Sequence, residues 1–426
     1  PIDTFSGYGA RSRDFVKSLI QLKDKEWDIK IMPQRWGDCP WNFLSQDDPL
    51  RQRYIGGLEQ QPDIWIQITV PNEFQPVGKY NIGVSAGIES TVYPGEFIEG
   101  SNRMDLNLVS SVHSKQVALA TQFEKRDKNT NQPVGVIKLE KPIEVLFEGL
   151  DLDKYYKKPQ NSGILKDIKE DFCFLHTGHW LPGNFGESRK NTATLIRTFL
   201  ETFRGPGRKK PALILKCNQV NYSLLDREVV LRQINRIRDM VSGNLPNVYL
   251  LHGEMTDEEM NQLNNDNKVK AFVSFTKGEG YGRPLAEAAI TGKPTIVSNW
   301  SGHIDFINPE YNVLVGGELG NVHKSASNEF LLKESQWFNI NTDIASRAMK
   351  DVFKKYKFYW EKSRKQTQYL KDNWSFDKMV DKINQFMPKV EAAPKTQQIQ
   401  LPKLKKIEKK QELPKLKLPK LKKIEA

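Results

Sequence analysis

Short apolar runs rich in β-branched residues alternate with helical patterns through most of this chain of 426 residues. An uninterrupted apolar run is typical of a strand that is buried on both faces. Parallel strands need a crossover connection, usually a helix, so strands that alternate with helices favour parallel sheets. The pattern therefore predicts an α/β fold built from βαβ units.

The runs fall into two successive sets, separated by a break near residues 151–169. Strands of the first set are predicted at residues 28–32, 63–70, 80–85, 106–110 and 143–147. Strands of the second set are predicted at residues 172–177, 212–217, 247–251, 271–275 and 295–298. In the first set, helices are predicted at residues 10–25 and 114–123. We expect two doubly wound, Rossmann-like domains that face each other across a cleft.

The first domain is expected over residues 1–155 and the second over 165–334, followed by closing helices over 335–387. The first residues resemble the end of a strand that enters a glycine-containing loop, which favours a strand that starts before Pro1. Thr256 precedes Glu259 by the spacing of a capping box. Gly292 lies where a helix that begins at Pro284 should end.

Residues 388–426 differ in character from the rest of the chain. The motif LPKLKKIE occurs there twice, with a partial copy LPKLK between the two. From Lys389 onward there are 12 Lys and 4 Glu, so this segment carries +8 of the total net charge of +12. Proline breaks helices, and the few Leu and Ile cannot offset the entropy lost on ordering. We predict a disordered basic tail, which either solubilises and tethers the protein or binds a polyanion.

Composition excludes several classes of protein. The chain is too long for a disulfide-stabilised mini-protein, and its 9 Trp and 10% aromatic residues argue against global disorder. Cys39, Cys173 and Cys217 show neither a zinc-site nor a disulfide spacing, so we expect a reducing, cytoplasmic compartment. We expect neither a membrane span nor a signal sequence, because no apolar run of the required length is present.

The segment VSFTKGEGYGRPLAEAAITGKPTIVSNWSGHIDF, residues 273–306, runs from a strand through a glycine-rich loop into a helix and a further strand. Glycines at 278, 280 and 282 allow close approach of a ligand to the backbone, and a helix N-terminus attracts phosphate. The same glycines also suit tight packing. Glu279 in the loop and Glu287 in the helix can face one bound molecule and differ in their roles.

Within this segment, GEGYGRPLAEAAITGKPTIVSN is similar to the donor-site motif of retaining glycosyltransferases of the GT-B fold, in particular glycosyltransferase family 4. The hallmark of that motif is a Glu, seven residues, a second Glu, a helix of small residues and then G-x-P. Other segments match the family in order: SGYGARSRD, GIESTVYP, NRMDLNLVSS, EVLFEGLDLDKY, GHWLPGNFGESRKNTATLIRTF and LILKCN. The resemblance covers residues 1–387 and excludes the tail.

The resemblance implies a set of site residues. Glu279 would contact hydroxyls of the transferred sugar, and Glu287 would contact the ribose hydroxyls of the nucleotide. Lys190 would neutralise the donor diphosphate with Arg189 beside it, although both side chains also fit the role of solvated charges in a first helical turn. Backbone groups would border the sugar and its phosphate at Gly280, Gly282, Arg283, Pro284 and Leu285.

Three features leave alternatives open. Many relatives have an Arg where this chain has Gly178 and His179, so either His179 or Arg189 would replace it. The loop with Gly7 and Gly9 resembles one that closes against the diphosphate, and it equally fits a simple strand-to-helix turn. Glu89 either borders the acceptor or is a buried charge that holds a loop in place.

The resemblance implies a retaining glycosyltransferase that moves a sugar from a nucleotide-diphosphate sugar to a hydroxyl of a glycan, lipid or protein acceptor. In such front-face transfer the leaving phosphate takes the acceptor proton, so we expect neither a cofactor nor a metal ion. A glycan phosphorylase is disfavoured because its cofactor-lysine motif is missing. One alternative is a glycosyltransferase acting on hydroxymethylated bases of DNA, which would need a basic face on the folded part. Another is a non-enzymatic nucleic-acid-binding protein on a degenerate scaffold.

Overall fold

The computed structural model describes residues 1–37, 39–127, 129–207 and 209–388. The predicted basic tail therefore lies outside the described residues, apart from Pro388. Residues 1–387 form one compact unit.

The first half of this unit contains a parallel sheet and an exposed hairpin. Its helices are α1 (Gly7–Lys23), α2 (Gly95–Ser101) and α3 (Val112–Ala120). Its strands are β1 (Ile64–Ile68), β2 (Tyr80–Val84), β3 (Leu106–Val109), β4 (Gln122–Arg126), β5 (Pro133–Lys138) and β6 (Ile143–Val145). Strands β1, β2, β3 and β6 pair in parallel in that order, whereas β4 and β5 form an antiparallel hairpin.

The second half contains a larger parallel sheet. Its strands are β7 (Cys173–His179), β8 (Ala212–Asn218), β9 (Val248–Leu251), β10 (Val269–Ser274), β11 (Thr295–Ser298) and β12 (Val313–Val315). They pair in parallel in the order β12, β11, β10, β7, β8, β9. Numbered from β7, this is the order 3-2-1-4-5-6 of a doubly wound fold. The strand order reverses between β7 and β10, and ligands of such sheets bind outside the carboxyl ends of those two strands.

The remaining elements cover this sheet and return to the first half. The helices are α4 (Thr192–Phe203), α5 (Leu224–Asp239), α6 (Asp257–Asn265), α7 (Arg283–Ile290), α8 (Thr342–Lys354), α9 (Tyr356–Asn373) and α10 (Phe376–Phe386). A hairpin is formed by β13 (Gly317–Asn321) and β14 (Gln336–Ile340). The predicted capping box is present at the start of α6, and Gly292 follows the end of α7 with a φ of +79°.

One hydrophobic core joins the two halves. It contains Phe15 of α1, Ile82 of β2, Leu175 of β7 and Ile383 of α10. The segment that leads into α10 is also hydrogen-bonded to the first half. The amide of Leu150 donates to the carbonyl of Trp374, and the carbonyl of Leu150 accepts from the amide of Phe376. The halves therefore cannot separate freely without disturbing packing around α10.

The predicted α/β fold with two Rossmann-like parallel sheets and closing helices is confirmed, whereas several local predictions are wrong. Residues 28–32 form no strand; Ile31 makes only an isolated bridge to Tyr54. The helix predicted at 114–123 lies at Val112–Ala120 and gives way to β4. The segment from 335 opens with β14 before the closing helices begin. The domain boundaries at 155, 165 and 334 stay predictions. Among the described residues, no helix is both long and apolar enough to cross a bilayer.

Candidate functional site

The loops after β7 and β10 meet at the point where the strand order reverses. The backbone amide of Lys277, just after β10, donates to the carbonyl of Arg189 in the loop after β7, at 2.7 Å. This bond brings the predicted basic pair, Arg189 and Lys190, beside the glycine-rich loop. The fold thus assembles the site at the position expected for ligands of a doubly wound sheet.

Lys190 and Glu279 form a direct, buried ion pair. The Lys190 ammonium lies 2.6 Å from Oε1 and 2.8 Å from Oε2 of Glu279. Arg189 donates to the carbonyl of Gly278 at 2.7 Å and lies 3.4 Å from Glu279 and 3.3 Å from Glu89. The exposed fractions of the Lys190, Arg189 and Glu279 side chains are 13%, 19% and 6%. The two cations are therefore not solvated charges of a first helical turn.

The charges of this group are mutually dependent. Burial alone would raise the pKa of Glu279, but the nearby Lys190 and Arg189 outweigh it and lower that pKa to about 2. Burial lowers the pKa of Lys190 in spite of Glu279. For Arg189, Glu89 and Glu279 outweigh burial and raise the pKa. Glu279 is thus a fixed carboxylate, and each partner depends on the other to remain charged in a buried place.

The glycine-rich loop lies directly against the backbone of the first half. A Cβ added at Gly278 would lie 1.9 Å from the carbonyl oxygen of Glu89, and one at Gly280 would lie 2.1 Å from that of Ala86. Gly282, the N-cap of α7, has a φ of +97°, a conformation that glycine adopts without strain. In this arrangement Gly278 and Gly280 allow two protein backbones to approach each other, with the halves closed over the loop.

A second charged group connects the halves, and we call it the interface cluster. It consists of Arg11 and Asp14 of α1, Glu148 before the interdomain link, and Arg283 and Glu287 of α7. Arg283 lies 2.8 Å from Asp14, 3.5 Å from Glu148 and 3.0 Å from Glu287. Arg11 lies 3.6 Å from Glu148. The N-terminal half of α1 is thereby tied to the first turn of α7.

The interface cluster contains three carboxylates and two guanidinium groups. The effect of burial and of the neighbouring carboxylates is largest at Glu287. Burial raises its pKa to about 7, even though Arg283 donates a hydrogen bond to it. Asp257 and Glu148 act in the same direction as burial. The pKa of Arg283 is raised well above its ordinary value because Asp14, Glu287 and Glu148 outweigh its burial. Glu279 and Glu287, eight residues apart, thus differ sharply in their proton affinity.

The other predicted site residues lie close by, without all meeting in one place. Gly9 lies in the first turn of α1, where its amide donates to Ser6, and Gly7 begins that helix. Pro284 and Leu285 lie in the first turn of α7. His179, the last residue of β7, is exposed, and partial desolvation together with the nearby charge of Lys190 lowers its pKa. Arg189, rather than His179, is the side chain that contacts Glu279.

Sequence reasoning missed three residues of the interface cluster: Arg11, Asp14 and Glu148. Arg11 and Asp14 both lie in the segment SGYGARSRD, and Glu148 lies in EVLFEGLDLDKY, so all three residues belong to segments that resemble the family. No pattern within either segment indicates that they meet Arg283, which is 269 residues away from Asp14. The side chain of Arg283 was also missed, since only its backbone was assigned a role.

No protein-family model matches the sequence, and no curated protein matches it significantly. Its structure is similar to that of sucrose-phosphate synthase from Thermosynechococcus elongatus, with a TM-score of 0.48 and 12% identity over 72% of this chain and 66% of that one. It is similar to Anabaena HepE in complex with UDP-glucose, with a TM-score of 0.47 and 12% identity over 72% of this chain and 71% of that one. A glycosyltransferase from Rickettsia africae gives a TM-score of 0.46 and 12% identity over 72% of this chain and 69% of that one.

Proposed function

We propose that this protein is a retaining glycosyltransferase that moves a sugar from a nucleotide-diphosphate sugar to a hydroxyl acceptor. The observation that supports it best is the buried group of Lys190, Arg189 and Glu279 at the carboxyl ends of β7 and β10. Two cations converge there beside the N-terminus of α7, which is where a diphosphate is best stabilised. Residues 165–334 would bind the donor, and residues 1–155 would border the acceptor.

In the proposed reaction, the bond between the anomeric carbon and the diphosphate oxygen breaks, and a bond from that carbon to the acceptor oxygen forms on the same face. The bonding electrons leave with the diphosphate, which gains negative charge. Lys190 and Arg189 would stabilise this charge, since fixed cations in a site without water act strongly on a developing charge. The acceptor proton passes to a phosphate oxygen of the leaving group, so the residues present need supply neither a nucleophile nor a metal ion.

The ion pair of Lys190 with Glu279 is one that a bound donor could replace with contacts of its own. A bound diphosphate would compete with Glu279 for the Lys190 ammonium, and Glu279 would then accept hydrogen bonds from hydroxyls of the sugar. Glu287 would accept hydrogen bonds from the ribose hydroxyls. Because the loop now touches Glu89 and Ala86, the halves must part to admit the donor and close again to exclude water.

Replacing Lys190 by alanine is expected to reduce kcat at least as much as it raises KM, because the cation acts mainly on charge that develops in the transition state. Lys190→Arg should recover part of the loss. Steady-state kinetics with varied nucleotide sugar would measure both constants. Lys209→Ala, which removes an exposed lysine of the same half, is the matched control. An unchanged kcat in Lys190→Ala would transfer the role to Arg189.

Adding a methyl group at Gly278 is expected to prevent full closure, since it would overlap the carbonyl of Glu89. A misplacement of about 1 Å can lower a rate about a hundredfold, so Gly278→Ala should show a loss of kcat of that order. Binding of the nucleotide alone, measured by calorimetry, should change much less. Gly57→Ala is the control, because a methyl group there meets no atom within 4 Å. Full activity of Gly278→Ala would show that catalysis does not need this contact.

The proposal as a whole is tested by incubating the protein with a panel of nucleotide sugars and following nucleotide release with and without glycan, lipid and peptide hydroxyl acceptors. Release from one donor, lost in Glu279→Ala and Lys190→Ala, is the expected result. The anomeric configuration of the product, determined by NMR, should equal that of the donor. Nucleotide release from no donor, together with no detectable binding of any nucleotide, would overturn the proposal.

A further inference from the structure

The most strongly basic part of the described chain lies in α8 and α9, away from the candidate site. From Lys350 to Lys371 there are 8 Lys and Arg but only 2 acidic residues, a net charge of +6. The 388 residues before the tail carry about +4 in total, because the tail accounts for +8 of the +12. The rest of the folded part therefore has a slightly negative net charge in total.

The spacing of the basic residues places them on one face of α9. Lys357, Arg364 and Lys371 recur every seven residues, which is close to two helical turns, so their side chains form one stripe about 21 Å long. All three side chains are exposed. A parallel stripe begins with Phe358 and continues with Lys365, and Glu361 lies between the two stripes. We call this surface the α9 basic face.

The basic side chains of this face lack acidic partners. Among the described residues, no ion pair is formed by Lys357, Arg364, Lys365 or Lys371, whereas the neighbouring Lys355 is paired with Asp351 at 2.8 Å. Lys157, from the interdomain link, adds a further positive charge next to Arg364 and Lys371. Its pKa is lowered by burial and, in addition, by the like charges of Arg364 and Lys371. Several positive charges thus lie close together and, among the described residues, form no ion pairs, an arrangement that attracts a polyanion.

Aromatic rings lie among these cations. The ring of Trp360 is contacted by both Lys157 and Arg364, each 5.3 Å from its centroid. Phe358 is 52% exposed, with Lys362 4.9 Å from its ring centroid. A large exposed ring beside unpaired cations can stack with a base while the cations contact the backbone phosphates.

The α9 basic face is separate from the candidate site. The buried side of α9 packs on the C-terminal end of α7, where Ser363 donates to the carbonyl of Gly292 at 2.8 Å. Gln366 donates to the carbonyl of Phe306 at 2.7 Å. The donor-site loop lies at the opposite, N-terminal end of α7. The face is therefore not a lysine-rich rim of the proposed nucleotide-sugar pocket.

We infer that the α9 basic face binds single-stranded nucleic acid, with phosphates along the stripe of Lys357, Arg364 and Lys371 and a base stacked on Phe358. The negative charge of a phosphate backbone is complementary to a row of unpaired cations, and a single strand exposes bases that a duplex keeps stacked. An anionic membrane is a weaker match, since Phe358 is the one large apolar side chain of α9 that is mainly exposed among its described residues. A glycosyltransferase that acts on DNA would need a basic face on the folded part, and the α9 basic face is a face of that kind.

The test uses the full chain and a fluorescein-labelled single-stranded oligonucleotide of mixed sequence, with binding followed by fluorescence anisotropy between about 50 and about 200 mM salt. The triple variant Lys357→Ala, Arg364→Ala, Lys371→Ala should bind at least about tenfold more weakly at the low salt. Its slope of log K against log salt should be shallower by about 2, as the loss of three phosphate contacts predicts.

A matched triple variant removes the same charge from another surface. Lys125, Lys138 and Lys141 are exposed in and beside the β4–β5 hairpin, and their replacement by alanine should leave the affinity within about twofold of wild type. Both triple variants keep the tail, so binding by the tail alone would leave them equal. Equal affinity and equal salt slope in the two triple variants would overturn the inference.

Phe358 separates single-strand binding from simple charge attraction. Phe358→Ala should weaken binding of the single strand about fivefold or more and leave binding of the duplex of the same sequence unchanged. Equal losses for single strand and duplex would exclude stacking and overturn the single-strand assignment. Vesicles containing phosphatidylserine are the remaining probe. If the protein sediments with these vesicles but binds no oligonucleotide, the face is assigned to membranes and the inference is overturned.

Discussion

Glu279→Ala is expected to lower turnover by about a hundredfold or more and to destabilise the fold at the same time. The loss of rate follows because the carboxylate would hold the transferred sugar, and removal of a fixed electrostatic contact of this kind has effects of that order. The loss of stability follows because Lys190 and Arg189 would remain buried without their shared partner, which costs about 3–5 kcal/mol. Urea unfolding and steady-state kinetics would measure the two effects separately.

A double-mutant cycle distinguishes the catalytic effect from the structural one. In Glu279→Ala combined with Lys190→Ala, the free energy of unfolding should fall by less than the sum of the two single changes, because no unpaired lysine remains. Turnover should not recover in the double variant. Glu26→Ala, which removes an exposed carboxylate paired with Lys23, is the control and should change stability by less than about 1 kcal/mol. Wild-type turnover in Glu279→Ala with the correct donor would refute the assignment of Glu279.

The buried strands of both sheets could be predicted because burial on both faces leaves a continuous apolar run in the sequence. Strand β8, with all seven residues buried, is the clearest case. The hairpin strands β4 and β5 were missed because they are mostly exposed and carry polar residues, and β12 is only three residues long. At residues 28–32 the alternation of Ile29 and Ile31 with polar residues suggested a strand, but among the described residues this segment is paired only through the isolated bridge from Ile31 to Tyr54.

The residues of the candidate site were predicted through motifs, whereas their contacts were not. Local spacing places Glu279 in a loop and Glu287 in the following helix, and both positions are as expected. The contact of Gly278 with Glu89 joins the two halves of the chain, and no local pattern encodes it. The same holds for Arg283, whose contact with Asp14 depends on how the two sheets are packed together.

These long-range contacts have a common physical consequence. In the closed structure, charges assigned to substrate binding are satisfied by protein groups instead: Lys190 by Glu279, and Glu287 by Arg283. Buried charges need partners whether or not a ligand is present. The closed form is thereby stabilised without donor, and a donor must replace these pairs with contacts of its own.

Glu287 is expected to make stability fall as the pH rises from about 4.5 to about 7. Its pKa is about 7 in the folded protein, against an ordinary value of 4.5, so the folded state binds more protons than the unfolded state over this range. The stabilisation is fully present below pH 4.5 and is lost as the pH rises through 7; the shift corresponds to about 3 kcal/mol. Buried histidines with lowered pKa values, such as His176, act in the opposite direction below pH 6.5.

The comparison of wild type with Glu287→Gln isolates this effect, because the histidines contribute equally to both. Relative to wild type, Glu287→Gln should gain stability between pH 5 and pH 8 by up to about 3 kcal/mol, measured by urea unfolding at each pH. Glu287→Ala should in addition weaken nucleotide binding about tenfold to a hundredfold with little change in kcat, since hydrogen bonds to a charged group contribute about 1.5–3 kcal/mol. The matched variant Glu279→Gln should show no such difference above pH 5, because the pKa of Glu279 is about 2. Parallel pH profiles for wild type and Glu287→Gln would mean that Glu287 stays ionised, and unchanged nucleotide affinity in Glu287→Ala would remove it from the donor site.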